Sequence, residues 1–295
     1  MYAYLELSNI TRTDSTIQSL SWMNGNSDIG TTLINNNELV QSTLPDKSKD
    51  GWLATGNSNH IVSITYTSVR TNEEQEHIHS LDRTNFNLRA HRIDVKIVVW
   101  NIPYQKLATV DEKGVIFVWV KHESRWSLEL INDRSQPVTD LAWSHDGRMM
   151  VICYIDGFVL VGSVTGQRYW SAVVNTAQST IMAVTWTPDD THVLLGTSDG
   201  GVILMDYRGN TTEIFSFSTS SITQLLYSCD KFYVNYHVLE ADQRRMVKFT
   251  NEDYVLACSL KSGQVMFMVN YMDQTAAIIE TGLRSNKRDK TTQLV

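Results

Sequence analysis

Val95-Lys-Ile-Val-Val-Trp100 with Gly114-Val-Ile-Phe-Val118, Val138-Thr-Asp-Leu-Ala-Trp143 with Gly157-Phe-Val-Leu-Val161, and Ile181-Met-Ala-Val-Thr-Trp186 with Gly200-Gly-Val-Ile-Leu204 are three copies of one pattern. Trp100, Trp143 and Trp186 stand 43 residues apart, and Gly114, Gly157 and Gly200 each follow 14 residues behind their tryptophan. Every copy reads as an apolar run, a Ser/Thr/Asp/Pro turn, a second run, a glycine-containing tight turn, a third run and a fourth. A period of about 40–45 residues with four short strands per unit predicts the blades of a β-propeller. The middle runs are apolar on both strand faces, as strands sandwiched between neighbouring blades should be.

Working outward, Ile17–Trp22 aligns with Val95–Trp100 and Leu53-Ala-Thr55 repeats Leu107-Ala-Thr109, so a disguised blade precedes the clean ones. A fifth follows, with Tyr227 in the place of the tryptophan and Gly263 in the place of the turn glycine. The expected organisation is an all-β propeller of about five four-stranded blades over 1–283: about 17–88, 95–131, 138–174, 181–217 and 222–283. Polar insertions are expected at 23–50, 69–85 and 230–252, and residues 284–295 read as a basic polar tail. Trp22, Trp100, Trp143, Trp186 and Tyr227 read as blade-packing core, and Gly114, Gly157, Gly200 and Gly263 as turn residues. Asp156 and Asp199, just before their glycines, are expected to bond turn amides; Asn59 and Lys113 take that place in the first two blades. Residues 2–7 have strand composition and are a candidate for closing the ring.

The 295 residues carry a net charge of −7 and a pI near 5.6, which argues against a phosphate-binding surface and so against nucleic acid as partner. Cys153, Cys229 and Cys258 are odd in number and far apart, which reads as buried thiols of a reducing compartment. No basic region precedes a long apolar run at the N-terminus, and no window approaches 18 apolar residues, so neither a secretory signal nor a membrane span is expected. The plain expectation is a cytoplasmic protein.

The search for chemistry is negative. His77 and His79 lie in a Glu-rich stretch with no third ligand nearby, so no metal is expected. Asp189, Asp190 and Asp242 are loop acids with no His or Ser in sequence placed to make a relay. No glycine-rich loop leads into a helix to cradle phosphate, and Cys153 in an apolar strand has no electropositive neighbour to activate it. No cofactor is expected. In a four-stranded meander, successive turns alternate between opposite faces, so all three insertions emerge on one face. The insertions on this face read either as tolerated loops or as a surface for a protein partner.

Pro103-Tyr-Gln-Lys-Leu-Ala-Thr109, Gly114-Val-Ile-Phe-Val-Trp119, Arg125-Trp-Ser-Leu-Glu-Leu-Ile-Asn-Asp-Arg134, Trp143-Ser-His-Asp-Gly147 and Asp156-Gly-Phe-Val-Leu-Val-Gly-Ser-Val-Thr-Gly-Gln-Arg-Tyr-Trp-Ser171 closely resemble the N-terminal WD-repeat region of the tubby-like protein 4 family. A weaker resemblance extends to the WD-repeat subunit of the intraflagellar-transport A complex. The first resemblance implies a non-catalytic platform that recognises substrates for an Elongin–Cullin–SOCS-box ubiquitin ligase, with candidate substrates as partners. The second implies a scaffold in ciliary transport and a ciliary location. The resembling proteins carry more blades, a SOCS box and a tubby domain, which implies that this chain is an open arc of a larger propeller. The familiar WD tetrad is expected to fail: His91 and Trp119 are in place, but Lys113 stands where the structural Asp belongs.

Overall fold

The computed structural model describes residues 15–24, 50–68, 85–122, 125–174, 179–216, 218–228, 232–239, 246–269 and 278–280. They form five four-stranded antiparallel meanders, the blades of a β-propeller. The first holds β1 (Ile17–Asn24), β2 (Asp50–Asn57), β3 (Ile61–Ser68) and β4 (Asn85–Arg89); the second β5 (Val95–Asn101), β6 (Lys106–Asp111), β7 (Ile116–His122) and β8 (Arg125–Asn132). The third holds β9 (Val138–Trp143), β10 (Met149–Tyr154), β11 (Phe158–Ser163) and β12 (Arg168–Val173); the fourth β13 (Ile181–Trp186), β14 (His192–Thr197), β15 (Gly201–Asp206) and β16 (Thr211–Ser216). The fifth is made by β17 (Ile222–Tyr227), β20 (Val255–Leu260), β21 (Val265–Val269) and β22 (Ile278–Glu280). Between its first two strands stands a separate hairpin, β18 (Phe232–Leu239) with β19 (Met246–Asp253). The insertion expected at 230–252 is therefore largely a regular two-stranded ribbon, paired from Phe232↔Asp253 to Leu239↔Met246. The candidate closing strand at 2–7, the insertion residues 25–49 and 69–84, and the tail at 284–295 lie outside the described residues.

The chain divides after Pro137 into two compact units, the first two blades and the last three. In the first, the facing sheets bury Ile64, Phe86, Val98, Trp100, Leu107 and Trp119 in one cluster. In the second, one cluster between the third and fourth blades includes Val151, Val161, Trp186 and Leu195. Another, between the fourth and fifth, includes Leu194, Leu204, Leu225 and Leu256. Middle strands are sandwiched on both faces: all six residues of β6 are buried, and five of six in β10 and β14. This is why their sequences run apolar instead of alternating. The outer strands β8, β12 and β16 have no buried residue, whereas β4 buries Phe86 and Leu88.

Each innermost strand carries a bulge at one equivalent place, skipping Gln18, Lys96, Thr139, Met182 or Thr223 in the ladder. The extra residue bends the strand and frees a side chain; Thr139 and Thr223 use it to donate Oγ1 hydrogen bonds to the carbonyls of Cys153 and Ser259. In the first and third blades the residue after the bulge meets the next blade. Ser19 Oγ accepts from the Val98 amide at 3.1 Å, and Asp140 Oδ2 accepts from the Val184 amide at 2.8 Å. The inner strands of the first and second blades, and those of the third and fourth, are thus joined by side-chain acceptors, since they share no sheet.

Candidate functional site

The tryptophans of the repeat serve these blade contacts. Trp100 is buried and its Nε1 donates to the carbonyl of Ser21; Trp186 is buried and donates to that of Ala142. Trp143 and Tyr227 are buried as well. Trp143 Nε1 has no hydrogen-bond partner among the described residues. Trp22 differs: it is 38% exposed, donates to Thr67 Oγ1 at 3.1 Å and lies over Gly51 of its own sheet. No earlier blade precedes it among the described residues, so its indole folds back on its own blade. Gly114, Gly157, Gly200 and Gly263 all adopt left-handed backbone, and each donates its amide three residues back in a tight turn. At Gly114 and Gly200 a side chain would also strike the chain leaving the blade, at Gln136 and Ser218. In the first blade His60 takes the same conformation, φ 64°. Asp156 Oδ1 accepts from the Phe158 amide, and Asp199 accepts from the Thr197 hydroxyl, so both acids hold their turns.

The most chemically suggestive cluster lies inside the second blade. Trp119 Nε1 donates to Thr109 Oγ1 at 2.9 Å, His91 Nε2 meets the same oxygen at 2.8 Å, and His91 Nδ1 meets Asp111 Oδ2 at 3.1 Å. Burial lowers the pKa of His91, with Asp111 opposing, so the imidazole is neutral. The neighbours assign the tautomer: Nδ1–H donates to Asp111, and Nε2 accepts from the Thr109 hydroxyl. This Asp–His–Thr sequence resembles a nucleophilic relay, but Thr109 is fully buried, donating to His91 and accepting from Trp119, so its oxygen is closed off from solvent. It is the WD tetrad, complete. The expectation that it fails is corrected: Asp111, two residues before Lys113, supplies the acid, and its Oδ1 also accepts from the amides of Lys113 and Val115.

The accessible candidate lies along one edge of the last three blades, where the turns joining first to second and third to fourth strands emerge. The β9–β10 turn carries His145, Asp146 and Arg148; the β13–β14 turn carries Asp189 and Asp190. Asp190 adopts left-handed backbone, φ 56°, and reaches across to the neighbouring turn. Its Oδ1 accepts from the His145 amide and from Nδ1, each at 2.8 Å, and its Oδ2 accepts from the Asp146 amide at 2.9 Å. Burial pushes the Asp190 carboxyl up, but the bonds from His145 and Asp146 outweigh it and leave its pKa below the usual range. Behind these turns, the Val164 amide donates to the Arg148 carbonyl and the Tyr207 amide to the Thr191 carbonyl. The edge is thereby fixed, while His145, Arg148, Tyr169 and Tyr207 stay exposed. The β18–β19 hairpin leaves from this same edge.

No group of three or more metal-ligating side chains occurs among the described residues, and His77, His79 and Asp242 lie outside them. Cys153 and Cys258 are buried free thiols: burial pushes Cys153 well up and Cys258 up to about 12, so neither is a thiolate nucleophile. Among the described residues no helix is long and apolar enough to cross a membrane. The tetrad acid and the Asp190 latch were not foreseen from sequence, because both depend on residues 20 and 45 positions away.

Solved structures share the architecture: the Saccharomyces cerevisiae Sqt1 structure superposes with a TM-score of 0.57 at 14% identity, covering 91% of this chain and 63% of that one. The chain is 37% identical over 305 residues to Tubby-related protein 4 of Mus musculus, and equally so to that of Homo sapiens. It is 29% identical over 256 residues to WD repeat-containing protein 35 of Homo sapiens. The matches take in 96% and 85% of this chain but only 18% and 21% of those relatives. The family model described as WDR35/TULP4 N-terminal, a β-propeller, matches residues 32–293, and the chain belongs to that family.

Proposed function

We propose that the chain is a non-catalytic protein-interaction platform, and that it serves as the substrate-recognition part of an Elongin–Cullin–SOCS-box type ubiquitin ligase. The carrying observation is how the polar groups are used. The buried Asp111–His91–Thr109–Trp119 network is spent on holding a blade, and Asp190 on holding an edge. The exposed tyrosines, His145 and Arg148 on that edge are suited to contact, since aromatic and arginine side chains dominate protein interfaces. The resemblance to Tubby-related protein 4 supports the ligase assignment. Its test is proximity labelling in cells with the chain as bait: enrichment of ubiquitin-pathway proteins is expected, and recovery of none counts against it.

A second reading, a scaffold in ciliary transport, draws on the resemblance to WD repeat-containing protein 35 over 85% of the chain. Accumulation at cilia together with transport subunits, in place of ubiquitin-pathway proteins, would favour it. Both readings place the protein in the cytoplasm, the second with a ciliary pool.

A further inference from the structure

We infer that the aromatic site at one edge of the first two blades, held by the chain's own Lys121, is a recognition site for a trimethylated lysine of a partner protein, with Lys121 as its place-holder. The inference rests on the platform reading above and names the chemistry of one partner group. The site is assembled from strand ends that meet at the same edge. Trp52 stands near the start of β2, Tyr66 near the end of β3 and Phe86 near the start of β4, while Lys121 stands near the end of β7 and Trp126 near the start of β8. Strand register puts Trp52 beside Tyr66 and Lys121 beside Trp126. Phe117, Trp119 and Lys121 share one face of β7, and the two aromatic residues are buried in the cluster with the first blade. The same row therefore carries the Lys121 ammonium onto aromatic rings.

Lys121 Nζ lies over two rings, 5.1 Å from the centre of Trp52 and 5.6 Å from that of Phe86. Tyr66 meets Trp52 edge-on at 5.1 Å and 66°, and Trp126 meets Phe86 edge-on at 6.3 Å and 73°. Trp52 and Phe86 are themselves tilted by 46°, so the rings wrap a concave site instead of stacking as a flat wall. What the site accepts is shown by what it holds, a cation over ring faces. Among the described residues no carboxylate pairs with Lys121, and Glu129, the sole acid of β7 and β8, is taken by Lys106 at 2.5 Å. A bare ammonium carries N–H donors that lose water here and find no acceptor among the described residues. A trimethylammonium has no such donors and brings apolar methyl groups with the same charge to the rings. Arginine, with its fork of N–H donors, fits less well. Lys121 is thus a weak occupant. It stays exposed, and a cation–π contact at an exposed position favours the seated form only about two- to fivefold, so an incoming trimethyl-lysine displaces it. Ile102 and Tyr104, exposed in the β5–β6 turn of the same edge, are placed for apolar residues flanking that lysine.

The test is a proton NMR titration of the whole chain into Nα-acetyl-trimethyl-lysine amide, followed by the N-methyl singlet of the ligand. The unmethylated lysine and the neutral tert-butyl isostere serve as controls. An upfield ring-current shift of the singlet is expected, with both controls binding about tenfold more weakly or less. Lys121→Ala removes the competitor and should tighten binding about two- to fivefold. Trp52→Ala should abolish binding; if that variant does not fold, Lys121→Ala decides alone, since it changes an exposed side chain. No shift of the singlet, equal binding by either control, or an affinity unchanged or lowered in Lys121→Ala overturns the proposal and leaves Lys121 a packing residue. If the ligand fails to bind while proximity labelling still recovers protein partners, the site assignment falls and the platform reading stands.

Discussion

Asp190 holds His145 by two atoms at once: one carboxylate oxygen accepts from both the backbone amide and the ring Nδ1 of His145, at 2.8 Å each. With the bond from the Asp146 amide, one side chain fixes the turn of the preceding blade. Charge-assisted bonds of this kind contribute about 1.5–3 kcal/mol when buried, and the half-exposed ring of His145 places this one at the lower end. Asp190→Ala should cost about 1–2 kcal/mol at pH 7, read from urea unfolding. Because the folded pKa is depressed, this contribution is present above the unfolded value near 4 and is lost as pH falls through the folded one. The variant and the parent should converge in acid.

Asp140 carries the opposite sign. Burial, partly offset by bonds from Val184 and Leu141, raises its carboxyl to about 6. The ionised form thus costs stability at neutral pH, by about 3 kcal/mol at most from the size of the shift. That cost disappears as pH falls from above 6 to below the unfolded value. Ser19, at the equivalent place in the first blade, accepts the same inter-blade amide bond without charge. Asp140→Ser should therefore be more stable than the parent at pH 7.5, with the gap closing near pH 4. A gap independent of pH would refute this account.

The tetrad allows a test that separates Asp111 from Lys113. Asp111→Ala strands the His91 N–H and two turn amides, and should cost about 2–4 kcal/mol. Trp119→Phe removes one donor and should cost about 1 kcal/mol beyond any lost packing. Lys113→Asp should change stability by less than about 0.5 kcal/mol, since the acid is already supplied. Because burial lowers the folded pKa of His91, stability also falls as pH drops through about 6.5, where the unfolded imidazole takes its proton. Chemical denaturation across pH 5–8 reads all four.

Two equivalent tryptophans should respond differently to one change. Trp186→Phe loses the bond to the Ala142 carbonyl, whereas Trp143→Phe removes an N–H without a partner among the described residues. The first should cost about 1 kcal/mol more than the second. Truncation to Ala at Trp143 should cost about 3–5 kcal/mol, as a large cavity does. Thermal melts of the three variants decide it, and an unchanged melt for Trp143→Ala would show that the side chain does not pack as described.

The blades were legible because their periodicity is local: the distance from Trp143 to Gly157 fixes two strands and a turn without reference to anything distant. Asp111 was not, since its partner His91 arrives from the preceding loop and only the folded path brings them to 3.1 Å. Alignment on the glycine pointed instead to Lys113. The Asp190–His145 latch has no sequence signal beyond the two residues falling in the same turn of consecutive repeats. The β18–β19 ribbon did leave a trace, in the strand composition of Phe232-Tyr-Val-Asn-Tyr-His-Val-Leu239. That trace gave no sign of its pairing partner. Trp22 obeys the repeat in sequence yet departs from it in space, because burial of this residue depends on a neighbour and not on its own blade.

The fifth blade is stapled shut beneath its insertion. Tyr227 pairs with Leu256, the Ser228 amide donates to the Val255 carbonyl at 2.9 Å, and the Val255 amide donates back to Ser228 Oγ at 3.0 Å. The ribbon above is consequently a cartridge in a socket: the chain crosses the root twice, and the root is held by its own bonds. Replacing residues 230–253 with Asn-Gly should leave the blade folded, and a foreign hairpin of similar width should seat in the same place. The socket lets the ribbon be exchanged without redesigning the blade that presents it.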